Sequence, residues 1–482
     1  MNILFVSSEA TPFAKSGGLG DVIGTLPAEL VKRGISAGIM IPLYKSIKEK
    51  YASSLVLLET FNVQLAWRNQ YCGLYTIRES GVDYYFIDNE QYFKRDRYYG
   101  YYDDGERFAY FSKAAIEAVK HLEKKPDIIH CSDWQTALIP IYLRTLYEQD
   151  AYLRDIKTVF SIHNIEYQGR FNPYITGDIL GLSKEDEKLM IDGDSINLMK
   201  GAIKTSDALT TVSRSYAYEL CDPFFAAGLQ DTIARYSFKL RGIINGIDTS
   251  QYDPQTDKNL RYSFSAEKME GKLKNKEALQ EELGLEVNRE VPVISMITRL
   301  VSHKGVDLVQ KVYDEIMALG VQLIILGTGD REYEEFFSWK ASQYEGRAAM
   351  LNCFSSELAS RIYASSDMFL MPSKSEPCGL AQMIASRYGT VPIVREAGGL
   401  RDSIEPFNPV SRKGNGITFR SFDAYDMLDA IKRALEIYSD HRLWKHLTAN
   451  AMKKDFSWDG PVEEYMDLYK ELEKKYEQKT EV

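Results

Sequence analysis

Apolar and polar positions along this chain fall into blocks, and the blocks repeat. Short continuous runs of aliphatic and β-branched residues occupy 3–6, 127–130, 158–162 and 208–212. Runs of this kind predict strands covered on both faces, as in a parallel sheet. Between them the apolar residues take helical spacing. Val22, Leu26 and Leu30 recur at every fourth position, and Lys32, Arg33 and Gly34 supply the cationic last turn and glycine stop of a helix. Pro27 falls inside this segment and predicts a kink or a late start. A further helix is expected over 108–122. A second series of runs covers 293–297, 321–326, 368–371 and 391–394, again separated by helical segments such as 380–388. Strands alternating with helices predict an α/β fold of doubly wound sheets. The stretch 246–290 between the two series is polar and charge-rich, which sets a domain boundary near its start and a surface helix over 268–283. The tail, 461–476, reads as an amphipathic helix with many charges.

Composition narrows the function classes. At 482 residues the chain suits two large domains, and 44% hydrophobic with 27% charged residues is ordinary for a globular protein rather than a disordered one. The formal net charge of −10 argues against nucleic acid or an anionic membrane as partner. It leaves room for a local basic pocket that takes a phosphorylated small molecule. The five cysteines (Cys72, Cys131, Cys221, Cys353 and Cys378) are scattered, never C-x-x-C, and fit a reducing cytoplasm better than disulfides or structural zinc. The opening MNILFVSSEA has no basic segment, so no signal peptide is expected, and no apolar run is long enough to span a membrane.

Several loops carry candidate chemistry. Lys15-Ser16-Gly17-Gly18-Leu19-Gly20-Asp21 follows the first strand and opens a helix. Glycines there admit close backbone approach, and a helix N-terminus favours an anion; a tight strand-to-helix turn with a solvated lysine reads equally well. Neither this loop nor Gly327-Thr328-Gly329 continues as a dinucleotide fingerprint, and no P-loop is present. Arg299 and Lys304 follow the strand at 293–297, at the end where doubly wound sheets bind ligands, so they are either a pyrophosphate clamp or two surface cations. Glu376-Pro377-Cys378-Gly379-Leu380 also follows a strand; Glu376 is a functional carboxylate or a favourable helix-dipole partner, and Cys378 alone reads as a packing residue. His163 and Asn164 end another strand, and no histidine has a metal-binding spacing. The aromatic run Tyr98-Tyr99-Gly100-Tyr101-Tyr102 is a sugar platform or an ordinary tyrosine-rich loop. One internal echo links the halves: Ser16-Gly17-Gly18-Leu19-Gly20-Asp21 and Ala397-Gly398-Gly399-Leu400-Arg401-Asp402 each follow a strand.

Taken with Ser132-Asp133-Trp134, Asn245-Gly246-Ile247-Asp248 and Asp455-Phe456-Ser457-Trp458, these segments resemble, in order and spacing over essentially the whole chain, bacterial glycogen synthases and plant starch synthases. K-x-G-G-L near the start with E-P-C-G-L late is the specific pairing. The resemblance implies two Rossmann-like doubly wound domains facing a deep cleft, the GT-B architecture. The expected division is 1–244 on the acceptor side, 245–455 on the nucleotide-sugar side, and a final helix, 456–482, that crosses back to the first domain. It implies a cytoplasmic hexosyltransferase that moves glucose from ADP-glucose to the non-reducing end of glycogen or another α-1,4-glucan, with retention and without a metal or other cofactor.

The resemblance also implies roles. Lys15, Gly17, Gly18 and Asp21 would hold the donor from the N-terminal side. Arg299 and Lys304 would stabilise the departing diphosphate, and Glu376 would hold the glucosyl ring and support charge at its anomeric carbon. The amides of Cys378, Gly379 and Leu380 would contact glucose or phosphate. His163 would bind the sugar near its reacting face, Asp133, Asn164 and Asn245 would line the cleft, and Phe354 would lie against adenine. Position 384 is Ile384, so the second carboxylate of an E-x7-E pattern is missing. Front-face departure and attack is therefore expected rather than double displacement. The chain departs from the family pattern at Gln135, His303, Ser375, Ala381 and Ala397, where His, Gln, an aromatic, Ser or Thr, and Thr are usual. Those departures keep two alternatives open: a GT-B transferase with another donor, such as UDP-glucose, or another acceptor; or a weakly active or inactive glycogen-binding paralogue.

Overall fold

The structure, a computed structural model, describes residues 1–480. It divides into two units, one formed by Met1–Ile243 with the chain from Trp458 onward, the other by Ile244–Ser457. The first unit contains β1 (Asn2–Val6), β2 (Ser36–Pro42), β3 (Val56–Leu65), β4 (Arg68–Glu79), β5 (Val82–Asp88), β6 (Ile128–Ser132) and β7 (Lys157–Ile162). It continues with β8 (Arg170–Phe171), β9 (Ile191–Asp192), β10 (Ser195–Asn197), β11 (Ala208–Thr211) and β12 (Leu240–Gly242). Among the described residues its main sheet runs β12-β11-β7-β6-β1-β2-β5-β4-β3, while β8, β10 and β9 form a small sheet of their own. Pairing is parallel from β12 through β5 and antiparallel at β5–β4 and β4–β3. The continuous apolar runs are the central strands: Ile3, Phe5, Val6, Val159 and Phe160 are fully buried.

The second unit is a parallel sheet of β13 (Val293–Ile297), β14 (Gln322–Leu326), β15 (Ala348–Leu351), β16 (Met368–Met371), β17 (Val391–Arg395) and β18 (Ile417–Phe419), in the order β15-β14-β13-β16-β17-β18. Its core joins Ile294, Leu323, Leu370 and Ile393 from the strands to Val309, Ile316, Met427 and Ile431 from the helices.

Three local expectations change. The helix Gly18–Lys32 runs through Pro27 with no late start. The helix Glu270–Glu282 is not a surface helix: Lys272, Lys276, Leu279 and Gln280 are buried. Its lysines read as solvated from sequence, yet the Lys272 ammonium donates to the Tyr388 carbonyl at 2.9 Å and to Thr390 Oγ1 at 2.8 Å, and Lys276 pairs with Asp367 at 2.7 Å. A buried ammonium with its protons spent on acceptors replaces its hydration shell. The strands β2 to β5, absent from the sequence reading, extend the first sheet through a hairpin whose β3 is largely exposed.

The last helix, Asp459–Thr480, belongs to the first unit. Tyr465 and Tyr469 are buried there, and the Tyr469 hydroxyl meets His130 Nδ1 at 2.7 Å. Arg33 pairs with Asp459, and Arg214 with Glu464 at 2.9 Å. Residues 481 and 482 of the expected final segment lie outside the described residues.

Candidate active site

In the first unit the chain leaves β1 into a turn that the next helix presses against. A Cβ on Gly20 would sit 3.1 Å from the Ala14 carbonyl, and one on Gly24 1.9 Å from Thr11 Oγ1, so glycine is what lets the helix lie on this turn. Gly17 differs. Its backbone is extended (φ −160°), and a Cβ there would meet nothing within 4 Å. Packing within the unit does not require glycine at 17; the space is open. Beside it Lys15 Nζ pairs with Asp21 Oδ1 at 2.7 Å. Burial raises the Asp21 carboxyl, and the Lys15 ammonium works against that rise.

What holds the Lys15–Gly18 segment is a residue the sequence reading did not single out. Glu9 is buried; its carboxylate accepts the Ser16 backbone N–H, the Ser16 hydroxyl at 2.6 Å and the Tyr99 hydroxyl at 2.6 Å. Tyr99 also shares a 2.8 Å hydrogen bond with Ser8 Oγ. Three rings of the aromatic run are engaged within the unit. Tyr98 packs on Tyr44 at 4.5 Å, Tyr99 locks onto Glu9, and Tyr101 lies under the Arg107 guanidinium at 4.9 Å. Tyr102 stands exposed.

The ends of β6 and β7 meet through Asp133. This residue sits at φ 57°, in left-handed space that costs a non-glycine residue energy. The conformation turns its carboxylate onto the next strand end, where Oδ1 accepts the His163 N–H at 2.8 Å and the Asn164 N–H at 3.4 Å. Burial pushes the Asp133 carboxyl up to about 7, opposed by those two N–H donors. The His163 ring is held neutral, pushed down to about 4 by burial, and its Nε2 is buried with no hydrogen-bond partner. A neutral imidazole with an unsatisfied nitrogen is suited to a polar group arriving from outside the protein. Gln135 is buried as well, and its Oε1 is equally unsatisfied.

In the second unit Lys304 and the Glu376 carboxylate meet. The segment after β13 lies against the turn after β14: Leu300 N–H bonds the Thr328 carbonyl at 2.9 Å, and Asp330 N–H bonds the Leu300 carbonyl at 2.8 Å. A Cβ on Gly327 would come within 1.8 Å of the Thr298 carbonyl, and one on Gly329 within 2.2 Å of the Leu300 carbonyl. The G-x-G there is a steric requirement of the loop that carries Arg299. Gly305, at φ 73°, lets the next turn approach Pro372, whose carbonyl a Cβ would meet at 2.2 Å. That approach brings Lys304 Nζ to 2.7 Å from Glu376 Oε2, which also accepts from Ser373 Oγ at 3.1 Å.

The Glu376–Leu380 loop is fastened from three sides. Gly399 donates its N–H to the Glu376 carbonyl at 3.0 Å, and a Cβ on it would fall 2.1 Å from the Cys378 carbonyl. Gln382 Nε2 donates to the Gly379 carbonyl at 2.7 Å and to Cys378 at 3.2 Å. Arg395 donates to the Lys374 carbonyl at 2.7 Å. Gly379 itself is at φ 71°, and Leu380 caps the helix Ala381–Arg387 without a side-chain bond. The Cys378 thiol is buried and pushed up to about 12, so it packs rather than attacks. Asn245 touches that thiol and leaves its Oδ1 buried without a partner. Phe354 is 82% exposed just ahead of the helix Ser356–Ser365, and Ile384 is buried. Among the described residues no group of His, Cys, Asp and Glu is arranged to hold a metal ion, and no helix is long and apolar enough to cross a membrane.

The starch synthase catalytic domain family matches residues 2–235, and the glycosyl transferases group 1 family matches residues 278–454. Among solved structures, the catalytic domain of starch synthase IV from Arabidopsis thaliana, bound to ADP and acarbose, aligns with a TM-score of 0.91 at 35% identity. The alignment covers 98% of this chain and 99% of that one. The fold is thus that of a glycosyltransferase of GT-B architecture, with a Rossmann-like domain in each half. A glycogen synthase from Bacillus cereus is 48% identical over 475 residues, which is 98% of this chain and 100% of that protein. One from Clostridium botulinum is 46% identical over 476 residues, with 98% and 99% covered. The chain belongs to the glycogen synthase family.

Proposed function

We propose that this protein transfers glucose from ADP-glucose to the non-reducing end of an α-1,4-glucan such as glycogen, with retention and with no metal in the step. The observation that carries this is the pairing of Lys304 with Glu376 on the glycine-fastened 376–380 loop. Cations preorganised where a diphosphate gathers negative charge stabilise its departure without a metal. The first unit serves the acceptor and the second the donor. Lys15, Gly17, Gly18 and Asp21 contact the donor, and the open space at Gly17 supports close approach there. Phe354 stacks on adenine, which its exposed ring supports. His163 Nε2 and Asn245 Oδ1, both buried and unpaired, are satisfied by substrate hydroxyls, with Asp133 and Asn164 shaping that wall. The amides of Cys378, Gly379 and Leu380 take glucose or phosphate. The free cysteines, three of them buried, suit a reducing cytoplasm.

Retention proceeds on one face. Glu376 is engaged by Lys304 and Ser373, and position 384 offers a buried isoleucine instead of a second carboxylate. The departing phosphate accepts the proton of the attacking hydroxyl. Glucose incorporation into glycogen from ADP-glucose and UDP-glucose in parallel, with Glu376→Ala as control, tests the function. Strong ADP-glucose-dependent incorporation lost in the control is expected; glycogen binding without turnover from either donor would overturn it. A glucosyl-enzyme trapped by mass spectrometry would overturn the one-face step alone.

A further inference from the structure

The hairpin between β3 and β4 turns in two residues, Ala66 and Trp67, with Leu65 paired to Arg68. A two-residue turn with positive φ at its first position favours glycine there, yet Ala66 takes φ 50°. Neighbours hold that conformation. Gln64 Nε2 donates to the Ala66 carbonyl at 2.8 Å, and a Cβ on Gly181 would meet Ala66 Cα at 3.3 Å. The turn leaves Trp67 71% exposed, so the indole forgoes most of what burial would give it. The ring is nonetheless fixed. Its Nε1 donates to Asp178 Oδ1 at 2.9 Å, and the Arg68 guanidinium lies over one face, 4.3 Å from the ring centroid. Arg68 is anchored in turn: it donates to the Asp178 carbonyl at 2.6 Å and to Asp178 Oδ2 at 3.2 Å, and pairs with Glu106 at 3.3 Å. The indole is thus bound along one edge and over one face, and its other face is open.

A fixed aromatic face with a carboxylate at its rim suits a sugar. A pyranose ring presents a face of C–H groups and a rim of hydroxyls; the indole covers the first, and the carboxylate accepts from the second. Asp178 ends the short helix Ile175–Asp178 and stays partly exposed. Trp67 and Arg68 use two of the roughly four acceptor sites of its carboxylate, which leaves the others for hydroxyls. A second ring, Tyr174, stands 78% exposed immediately before the same helix. A purely apolar partner would cover Asp178 and give it nothing. We propose that Trp67, with Asp178 at its rim, is an accessory glucan-binding platform: it holds a glucose unit of the α-1,4-glucan away from the chain end that receives glucose. The proposal deepens the acceptor role assigned to the first unit and rests on it. Ring and carboxylate are fixed before the sugar arrives, so little rotamer freedom is lost on binding. A polymer held there keeps its chain ends at high local concentration.

Oxidative footprinting of the wild-type protein, read by mass spectrometry with and without maltoheptaose and in the absence of ADP-glucose, tests occupancy of the ring. Trp339, 54% exposed in the second unit, is the internal reference. Maltoheptaose is expected to slow Trp67 oxidation severalfold relative to Trp339. Trp67→Ala should raise KM for glycogen about fivefold, as for loss of one stacking contact, with kcat and Tm little changed. Trp67→Phe, which keeps a ring, should recover most of that. Trp67 oxidation that maltoheptaose leaves unchanged, or protection that follows protein concentration instead, as for a contact between proteins, overturns the proposal and leaves the transferase reading standing. So does an unchanged KM for glycogen in a folded Trp67→Ala protein. The footprint decides the point even if neither variant folds. A folded wild type that neither binds glycogen nor transfers glucose overturns the acceptor assignment itself, and the proposal with it.

Discussion

Tyr99 gives the sharpest test of how the first unit works, because it touches no motif. Its hydroxyl supplies one of three hydrogen bonds to the buried Glu9 carboxylate; the other two come from Ser16. Tyr99→Phe keeps the ring and its packing and deletes that bond together with the 2.8 Å one to Ser8 Oγ. Hydrogen bonds to a charged group contribute about 1.5–3 kcal/mol each. Glu9 keeps its grip on Ser16, so the first effect falls on the geometry and charge of the clamp rather than on folding. If the Lys15–Gly18 segment must be held as it is seen for the donor to react, kcat/KM for glucose transfer should fall roughly 10- to 100-fold, since about 1.4 kcal/mol is a factor of ten. Glu9→Gln is more severe: its amide offers N–H donors to a site that already presents donors from Ser16.

The assay is initial-rate glucose incorporation at sub-saturating ADP-glucose, with Tm measured in parallel. The double variant supplies the cycle. Glu9 and Tyr99 share one bond, so their losses must be less than additive, with a coupling of about 1 kcal/mol or more. A Tyr99→Phe enzyme with kcat/KM within about twofold of wild type would refute the clamp, since even the low end of the bond energy exceeds that factor. So would additive losses.

Other outcomes follow from the same contacts. Glu376→Gln keeps the shape of the loop but removes the partner of Lys304, and should lower transfer by about 10²-fold or more with Tm little changed; near-normal turnover would contradict the assigned role. Gly399→Ala should cost roughly 1–3 kcal/mol in chemical denaturation, because its Cβ meets the Cys378 carbonyl. Gly17→Ala should be nearly silent in stability yet slow transfer, and equal stability losses for the two would refute the distinction. His130 and His163 are pushed down by burial to about 3 and about 4 from the ordinary 6.5. The unfolded chain binds protons at these positions from pH 6.5 downward while the folded chain does not, so stability is full above that pH. The histidine contribution should be lost as pH falls toward 4, by up to about 1.4 kcal/mol per pH unit for each, while Asp133, pushed up to about 7, opposes it by the same slope below that pH; in an Asp133→Asn background, urea midpoints that stay flat between about pH 7 and about pH 5.5 would contradict this.

The buried strands were legible because a sheet covered on both faces leaves no polar alternation to confuse with helix, as at 3–6, 158–162 and 293–297. The cationic and acidic residues at the ends of β13 and β16 were legible for a related reason: strand ends in such sheets are where ligand-facing side chains must come from. What stayed hidden depends on contacts between distant segments. Glu9 is one carboxylate in an unremarkable loop until Tyr99 arrives from 90 positions away. Lys272 and Lys276 look solvated until strand-end acceptors close on them.

The echoed glycine pairs show why a local pattern cannot finish the argument. Gly399 is glycine because the Cys378 carbonyl leaves no room for a Cβ, which makes it part of how the Glu376 loop is fastened. Gly17 is extended and faces open space, so nothing within its unit excludes a side chain there. Gly399 is the second glycine of its pair and Gly17 the first of the other, so the echo in sequence does not carry one structural role from half to half. Where packing leaves a glycine unexplained, as at Gly17, the proposed donor contact offers a reason that packing does not, and the transfer rate of Gly17→Ala is what tests it.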